Sequence, residues 1–309
     1  MKAGPGEEGI KMLLPQGTLR KKLEETTALA LASGALQPIP TTFELVEEGG
    51  IVFMVRILEN IARKEEDRWR REREAGQEVN PFLPYERDLF VTRLTDTHLC
   101  LLNKFNVVEN HLLIVTEDFE DQDDYLTRRD FAALLAGLAE YESLGFYNGG
   151  VVAGASQRHK HLQLLPLPLV AEGPAVPVGP SVEAARYRGR IGRSDALPFR
   201  HAIVPMDPLW ARRPAESAGE MLKAFHLMLQ AVGMEQRERP RSGRQSCPYN
   251  LLATREWMLL VPRSGEFFKG ISVNAIGFAG GLLVRDRNEL DSVKAMGPLK
   301  VLTSVAVAL

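Results

Sequence analysis

The segment His159-Lys160-His161-Leu162-Gln163-Leu164 constrains the fold more than any other stretch of the chain, because it carries the two-residue period of a β-strand. Side chains on a strand alternate between its faces. His159, His161 and Gln163 therefore form a row on one face, spaced about 7 Å step to step. Leu162 and Leu164 predict that the opposite face is anchored in a core. Lys160 shares that face and is set apart from the row. A turn, Gly154-Ala155-Ser156-Gln157, comes just before it.

Such a row suits phosphorus chemistry. A neutral imidazole has an ordinary pKa of about 6.5, so near neutrality it is ready to attack. The adduct would be a phosphoramidate, able to pass a nucleotidyl group between phosphate acceptors. The turn can offer backbone N–H groups and the Ser156 hydroxyl to phosphate oxygens. Gln163 can hydrogen-bond a phosphate oxygen but has no useful proton to give or take. Water, with a pKa of about 15.7, needs a base to attack well; inorganic phosphate arrives as an anion and needs none. A third imidazole would favour hydrolysis, whereas glutamine favours transfer to phosphate. An isolated H-x-H pair is also a metal-binding pattern. Zinc would want further ligands at set spacing, and the chain has six histidines, two cysteines and no C-x-x-C.

The 309 residues are 45% hydrophobic, enough to bury a sizeable core in one large domain or two modest ones. A formal net charge of -2 gives no basic footprint for nucleic acid. No apolar run nears the roughly 18 residues that span a bilayer, and the first residues lack a signal-peptide core. Cys100 and Cys247 lie far apart in sequence and are expected as core fillers in a reducing compartment, which makes the cytoplasm the expected location.

Apolar spacing predicts a helix from Thr18 to Ala32 ending near Gly34, and another after the capping sequence Thr127-Arg128-Arg129-Asp130. Strands are expected at Gly50–Ile57, Leu89–Arg93, Cys100–Phe105, Leu112–Thr116, Phe146–Ala155 and His161–Leu169, the second to fourth runs forming an antiparallel meander. The charged run Arg63–Glu74 reads as a solvated face. Pro166 to Pro180 is the best candidate boundary. It divides an N-terminal region, residues 1–170, from a C-terminal region, residues 190–309, through a Pro/Gly-rich connection at 171–189. Beyond it come a strand at Phe199–Val204, a helix at Ala215–Val232, strands in Tyr249–Pro262 and Ile271–Arg285, and a closing helix after Asn288. Strands outnumber βαβ crossovers, so the fold class is α+β with a mainly antiparallel sheet flanked by helices.

The turn and row together resemble the H-x-H-x-Q signature of the transferase branch of the histidine-triad superfamily, and most of all the diadenosine tetraphosphate (Ap4A) phosphorylases, also called ATP adenylyltransferases. Three other stretches resemble the same family: residues 102–116, 249–258 and 270–280. The resemblance implies a HIT-like fold whose C-terminal region completes the sheet and the nucleotide site. The implied reaction is Ap4A plus phosphate giving ATP plus ADP, with His161 as the nucleophile. It also implies that His159 orients His161 or touches the phosphate, and that Gln163 holds a phosphate oxygen. Asn148, Gly154, Ala155, Ser156 and Gln157 match nucleotide-binding positions. Lys64, Arg87 with Asp88, Asn250, Thr254 and Met258 are weaker carry-overs. His111 is either a structural histidine or a neighbour of the nucleophile; His98 and His201 are expected at the surface or in turns, and His226 in helix packing. A divalent cation such as Mg²⁺ is expected with the charged substrate, but no zinc and no protein-held metal. The expected partners are small nucleotides, with no nucleic acid and no membrane, and the chain is a monomer or homodimer. The related uridylyltransferases use a zinc site with cysteines that this chain lacks. Adenylyl-sulfate phosphorolysis, dinucleotide hydrolysis or a non-catalytic dinucleotide sensor are the alternatives.

Overall fold

A computed structural model of the chain describes residues 9–58, 80–234 and 243–309. Its frame is a single sheet of ten strands. The members are β3 (Phe90–Arg93), β4 (His98–Leu102), β5 (Leu112–Thr116), β6 (Ser143–Gly149), β7 (His161–Pro166), β8 (Arg186–Arg188), β9 (Ile191–Arg193), β10 (Ala202–Pro205), β11 (Tyr249–Ala253) and β12 (Trp257–Pro262). They lie in the order β3-β4-β5-β7-β6-β11-β12-β10-β9-β8. Every pairing in it is antiparallel. The expected α+β class and the β3-β4-β5 meander are both present. The sheet also joins strands from either side of the Pro/Gly-rich connection: β6 pairs with β11, placing Asn148 opposite Asn250.

Alternation along the strands separates two cores. Leu162, Leu164, Tyr147, Leu251 and Met258 face one way, under the helices Leu19–Ser33, Arg128–Glu140 and Pro214–Ala231. Leu144, Phe146, Leu165, Leu252 and Val261 face the other way. There they meet β2 (Ile51–Leu58) and the C-terminal helices Ala275–Ala279, Arg287–Met296 and Pro298–Val305. β2 pairs antiparallel with β1 (Thr41–Glu48) and parallel with β15 (Gly281–Val284). β13 (Phe267–Phe268) and β14 (Ile271–Ser272) form a two-residue ribbon. Among the described residues no helix is long and apolar enough to cross a membrane.

Local signals account for most of these elements. The helix from Leu19 ends where Gly34 adopts the left-handed conformation, φ 77°, which spares a side chain the strain. Thr127 and Asp130 form a reciprocal capping box, each satisfying the other's backbone N–H. Some expectations need correction. β1 lies outside the expected strands because alternation in Thr-Thr-Phe-Glu-Leu-Val-Glu-Glu is diluted by exposed apolar residues at Phe43 and Leu45. Phe146–Ala155 is not one strand: β6 stops at Gly149 and the chain turns through a short 3-10 helix, Val151–Ala153. Cys100 is buried as expected, but Cys247 is exposed. His98 and His201 are each only 1% exposed, not surface residues. His98 donates to Asp130 at 3.1 Å, while His201 donates from Nδ1 to the Phe199 carbonyl and accepts the Ser194 N–H on Nε2. Isolated polar residues within apolar strands read as interruptions in a sequence; here each is internal because a partner meets it.

Candidate active site

The row forms where two strands diverge. β6 and β7 stay paired from Ser143–Pro166 to Phe146–Gln163 and then separate, while β5 keeps its pairing out to Val115–His161. Gln122 fills the gap. Its Oε1 accepts the His161 N–H at 2.8 Å, and its Nε2 donates to the Asn148 and His161 carbonyls at 2.8 and 3.3 Å. A side-chain amide thus replaces the missing ladder and holds a wedge open at His161. Nothing in the acidic context Glu-Asp-Gln122-Asp-Asp marks this glutamine; its role emerges only once the two strands are seen to separate.

His161 has its tautomer fixed. Its Nδ1 lies 2.8 Å from the His159 carbonyl, which can only accept, so Nδ1 carries the hydrogen and Nε2 keeps its lone pair. The ring sits edge-on to Phe82, with centroids 5.4 Å apart. Burial pushes its pKa down to about 4, against the opposing effect of the His159 carbonyl, so the ring is neutral at pH 7. A buried, neutral imidazole with an unprotonated Nε2 has the free lone pair that nucleophilic attack requires.

His159 is committed elsewhere. Its Nε2 donates to the Thr116 carbonyl at 2.8 Å, and its Nδ1 lies 3.1 Å from the Asn80 amide nitrogen, whose hydrogen it accepts. Both ring nitrogens are thus engaged, and the His159 backbone carbonyl is the group that holds the His161 ring.

Gln163 is aimed by a relay. The Asn103 amide donates to His111 Nδ1 at 3.0 Å, which leaves the hydrogen on Nε2, and that donates to Gln163 Oε1 at 2.8 Å. The Gln163 NH₂ group is left to donate on the side of the row. His111 is therefore a neighbour of the site, and burial lowers its pKa to about 4 as well.

The turn meets only some of its expectations. Gly154 (φ 86°) lies so close to Asn274 that a Cβ there would come within 2.8 Å of the asparagine's own. The Gly154 and Ala155 N–H groups are spent inside the turn, on Val151 and Gly150 carbonyls. Ser156 is exposed and Gln157 half-buried, and neither has a hydrogen-bond partner among the described residues. Asn148 Oδ1 accepts from Asn250 and from the Ala275 N–H, both at 2.9 Å, leaving its Nδ2 without a partner among the described residues.

Three expected contacts are not brought to the row. Asn250 is fully buried; it donates to Asn148 and to the Ala153 carbonyl and accepts from Arg263, so its side chain braces the turn. Thr254 Oγ1 accepts the Glu256 and Trp257 N–H groups and anchors the β11–β12 hairpin. Met258 lies in the core on the opposite face of the sheet from His161. All three belong to a hairpin that strand pairing and the adjoining layers bury. Arg87 and Asp88 are exposed on the 3-10 turn Arg87–Leu89, outside this hydrogen-bonded cluster. Lys64 and the charged run lie outside the described residues.

The neutral state of His161 gives a stability signature. Unfolded, a histidine titrates near about 6.5; folded, His161 does so near about 4. Between those values the unfolded chain binds more protons, so stability falls as pH drops through that window, by up to about 3 kcal/mol from this residue. Urea midpoints measured from pH 7 to 4 should show a shallower decline in His161→Gln than in the wild type. Parallel curves would mean that the ring is not buried neutral.

The fold and the buried H-x-H-x-Q row define a histidine-triad-like nucleotidyltransferase frame. Residues 10–184 match the Ap4A phosphorylase N-terminal domain and residues 195–308 the ATP adenylyltransferase C-terminal domain, and the chain belongs to this family of enzymes. Diadenosine 5',5'''-P1,P4-tetraphosphate phosphorylase 2 of Saccharomyces cerevisiae is 28% identical over 69% of this chain and 71% of its own length. Protein APA1 of the same yeast is 30% identical over 60% of this chain and 61% of its own. Crystal structures of the yeast Ap4A phosphorylase Apa2, one of them in complex with Ap4A, superpose with a TM-score of 0.76 over 96% of this chain and 99% of theirs, at 24% and 22% identity, which establishes the HIT-like fold.

Proposed function

We propose that the chain catalyses phosphorolysis of Ap4A through an adenylylated His161. The observation that carries this reading is the pairing of a neutral His161, its Nε2 unprotonated, with a Gln163 amide held donor-outward by His111. In the first step Nε2 attacks an α-phosphorus, an N–P bond forms, the α–β bridging P–O bond breaks and ATP departs. In the second, an oxygen of inorganic phosphate attacks the same phosphorus, the N–P bond breaks, ADP leaves and the lone pair returns to Nε2. The Gln163 NH₂ group and the Ser156–Gln157 amides stabilise charge on the non-bridging oxygens. Neither step asks Gln163 for a proton, which an amide could not supply. The divalent cation, Mg²⁺ in this reading, rides on the polyphosphate, whose oxygens are the hard donors it prefers.

Product chromatography tests the reading. Ap4A should give ATP and ADP in equal amounts, at a rate that rises with added phosphate and is near zero without it. Formation of ATP and AMP in phosphate-free buffer would identify a hydrolase instead.

A further inference from the structure

A line of polar side chains crosses the β6–β11 seam toward His161. Phe146 is paired with Gln163, and Asn148 lies two residues further along β6, so Asn148 shares the face that carries the row. Asn250 is paired with Asn148 and shares that face too. Arg263, just past the end of β12, completes the line by donating to Asn250.

Arg263 is 3% exposed. Its Nε donates to the Val305 carbonyl at 3.1 Å, its Nη2 to the Gly265 carbonyl at 2.7 Å, and its Nη1 to Asn250 Oδ1 and, at 3.3 Å, to the Ala153 carbonyl. All four acceptors are neutral. The guanidinium also lies over the Phe278 ring at 5.2 Å. Burial lowers its pKa to about 10, with the Glu266 charge opposing, so it stays a cation at pH 7. A charge held out of water on neutral partners is costly, and an apolar side chain could fill the same space without that cost.

The charge fixes a polarity. A guanidinium can only donate, so Asn250 must turn its Oδ1 to Arg263 and its NH₂ group to Asn148 and Ala153. Asn148 Oδ1 receives that hydrogen and the Ala275 N–H, which leaves the Asn148 NH₂ group as the outward end of the chain. Hydrogen bonds in a chain that starts at a cation polarise one another, so the last donor is strengthened. The Asn148 and His161 carbonyls share the Gln122 amide, which sets this donor beside the nucleophile. A second relay, Asn103 to His111 to Gln163, ends in an amide NH₂ group on the same face.

We propose that Arg263 is a positioning residue for the reaction: it sets the Asn250–Asn148 relay so that the Asn148 NH₂ group donates to an acceptor oxygen of the bound nucleotide. The proposal rests on the phosphorolysis reading only in placing an adenylyl group against His161. Arg263 belongs to the C-terminal family segment and Asn148 to the N-terminal one, so the relay is a contribution of the first segment to the site built by the second.

The test measures binding in a His161→Ala background, apart from turnover. Calorimetric titration should show AMP affinity falling about tenfold in Arg263→Met, and less in Arg263→Lys, which keeps a donating cation but loses the fork. Asn148→Ala should weaken AMP by a similar factor. The double variant Arg263→Met with Asn148→Ala should bind AMP no more than about twofold more weakly than Asn148→Ala alone, because a single relay is broken once. An arginine that only supports the fold would weaken AMP by the same factor with or without Asn148, and that result overturns the proposal. Undiminished AMP binding by a folded Arg263 variant overturns it as well. Arg263→Lys enters the same cycle if the methionine variant does not fold. The two readings fail separately: ATP and AMP as products from the parent protein would sink phosphorolysis and leave the cycle readable, whereas an additive cycle would leave phosphorolysis standing.

Discussion

His161→Ala is expected to lower phosphorolysis of Ap4A by about four orders of magnitude or more, the scale seen when a covalent nucleophile is removed. Substrate binding should change far less, because Gln163, Ser156 and Gln157 stay in place. The bound state is the discriminating readout. Wild-type protein mixed with α-labelled substrate and no phosphate, then denatured, should retain about one label per chain, labile to acid and stable to alkali. His161→Ala should retain none, and His159→Ala, which keeps the backbone carbonyl that holds the His161 ring but loses the side-chain anchors to Thr116 and Asn80, should label more slowly. Full turnover by His161→Ala would dismiss the covalent route altogether.

The second large effect concerns folding. On the far side of the catalytic strand, Lys160 is 1% exposed and contacts Glu120 and the Tyr125 carbonyl, with Asp130 3.7 Å away. Asp130 also accepts from His98 and from the N–H and hydroxyl of Thr127, at 3.1, 2.6 and 2.7 Å. Burial pushes the Asp130 carboxyl up, but the His98 hydrogen bond and the Lys160 charge outweigh it and bring the pKa down to about 2. Breaking a buried pair strands a charge, so Asp130→Ala is expected to cost about 3–5 kcal/mol, helix cap included. Lys160→Met with Asp130→Leu removes both charges and should recover much of that loss. Urea unfolding of the two variants decides it: an Asp130→Ala cost under about 1 kcal/mol would show that this cluster is not a major support.

How much of the molecule is legible in its sequence depends on whether a residue's role is local. Strand alternation places His161 and Gln163 on one face, and helix signals at Thr127, Asp130 and Gly34 fix their elements, because each acts within a few residues. The orienting relay is different. Gln122 meets His161 across 39 positions, His111 meets Gln163 across 52, and Asn250 meets Asn148 across 102. A lone polar residue in an apolar strand carries no mark of such a partner. The same blindness draws Asn250, Thr254 and Met258 toward the ligand: periodicity says which residues share a face, but not which layer covers it. His98 reads as a surface residue for a related reason, since Asp130 looks sufficient as a cap and gives no sign that it also receives a histidine.

The β6–β11 seam has a consequence for dissecting the molecule. Severing the chain between the two family segments would leave β6 and β11 as raw edges in the middle of what had been a covered sheet, each offering unmet N–H and C=O groups to any passing strand. Fragments made that way should aggregate when expressed apart and regain solubility when produced together. That outcome would make the two segments complementary pieces of a single folding unit, and exchange of either for a relative's should succeed only with its matching partner.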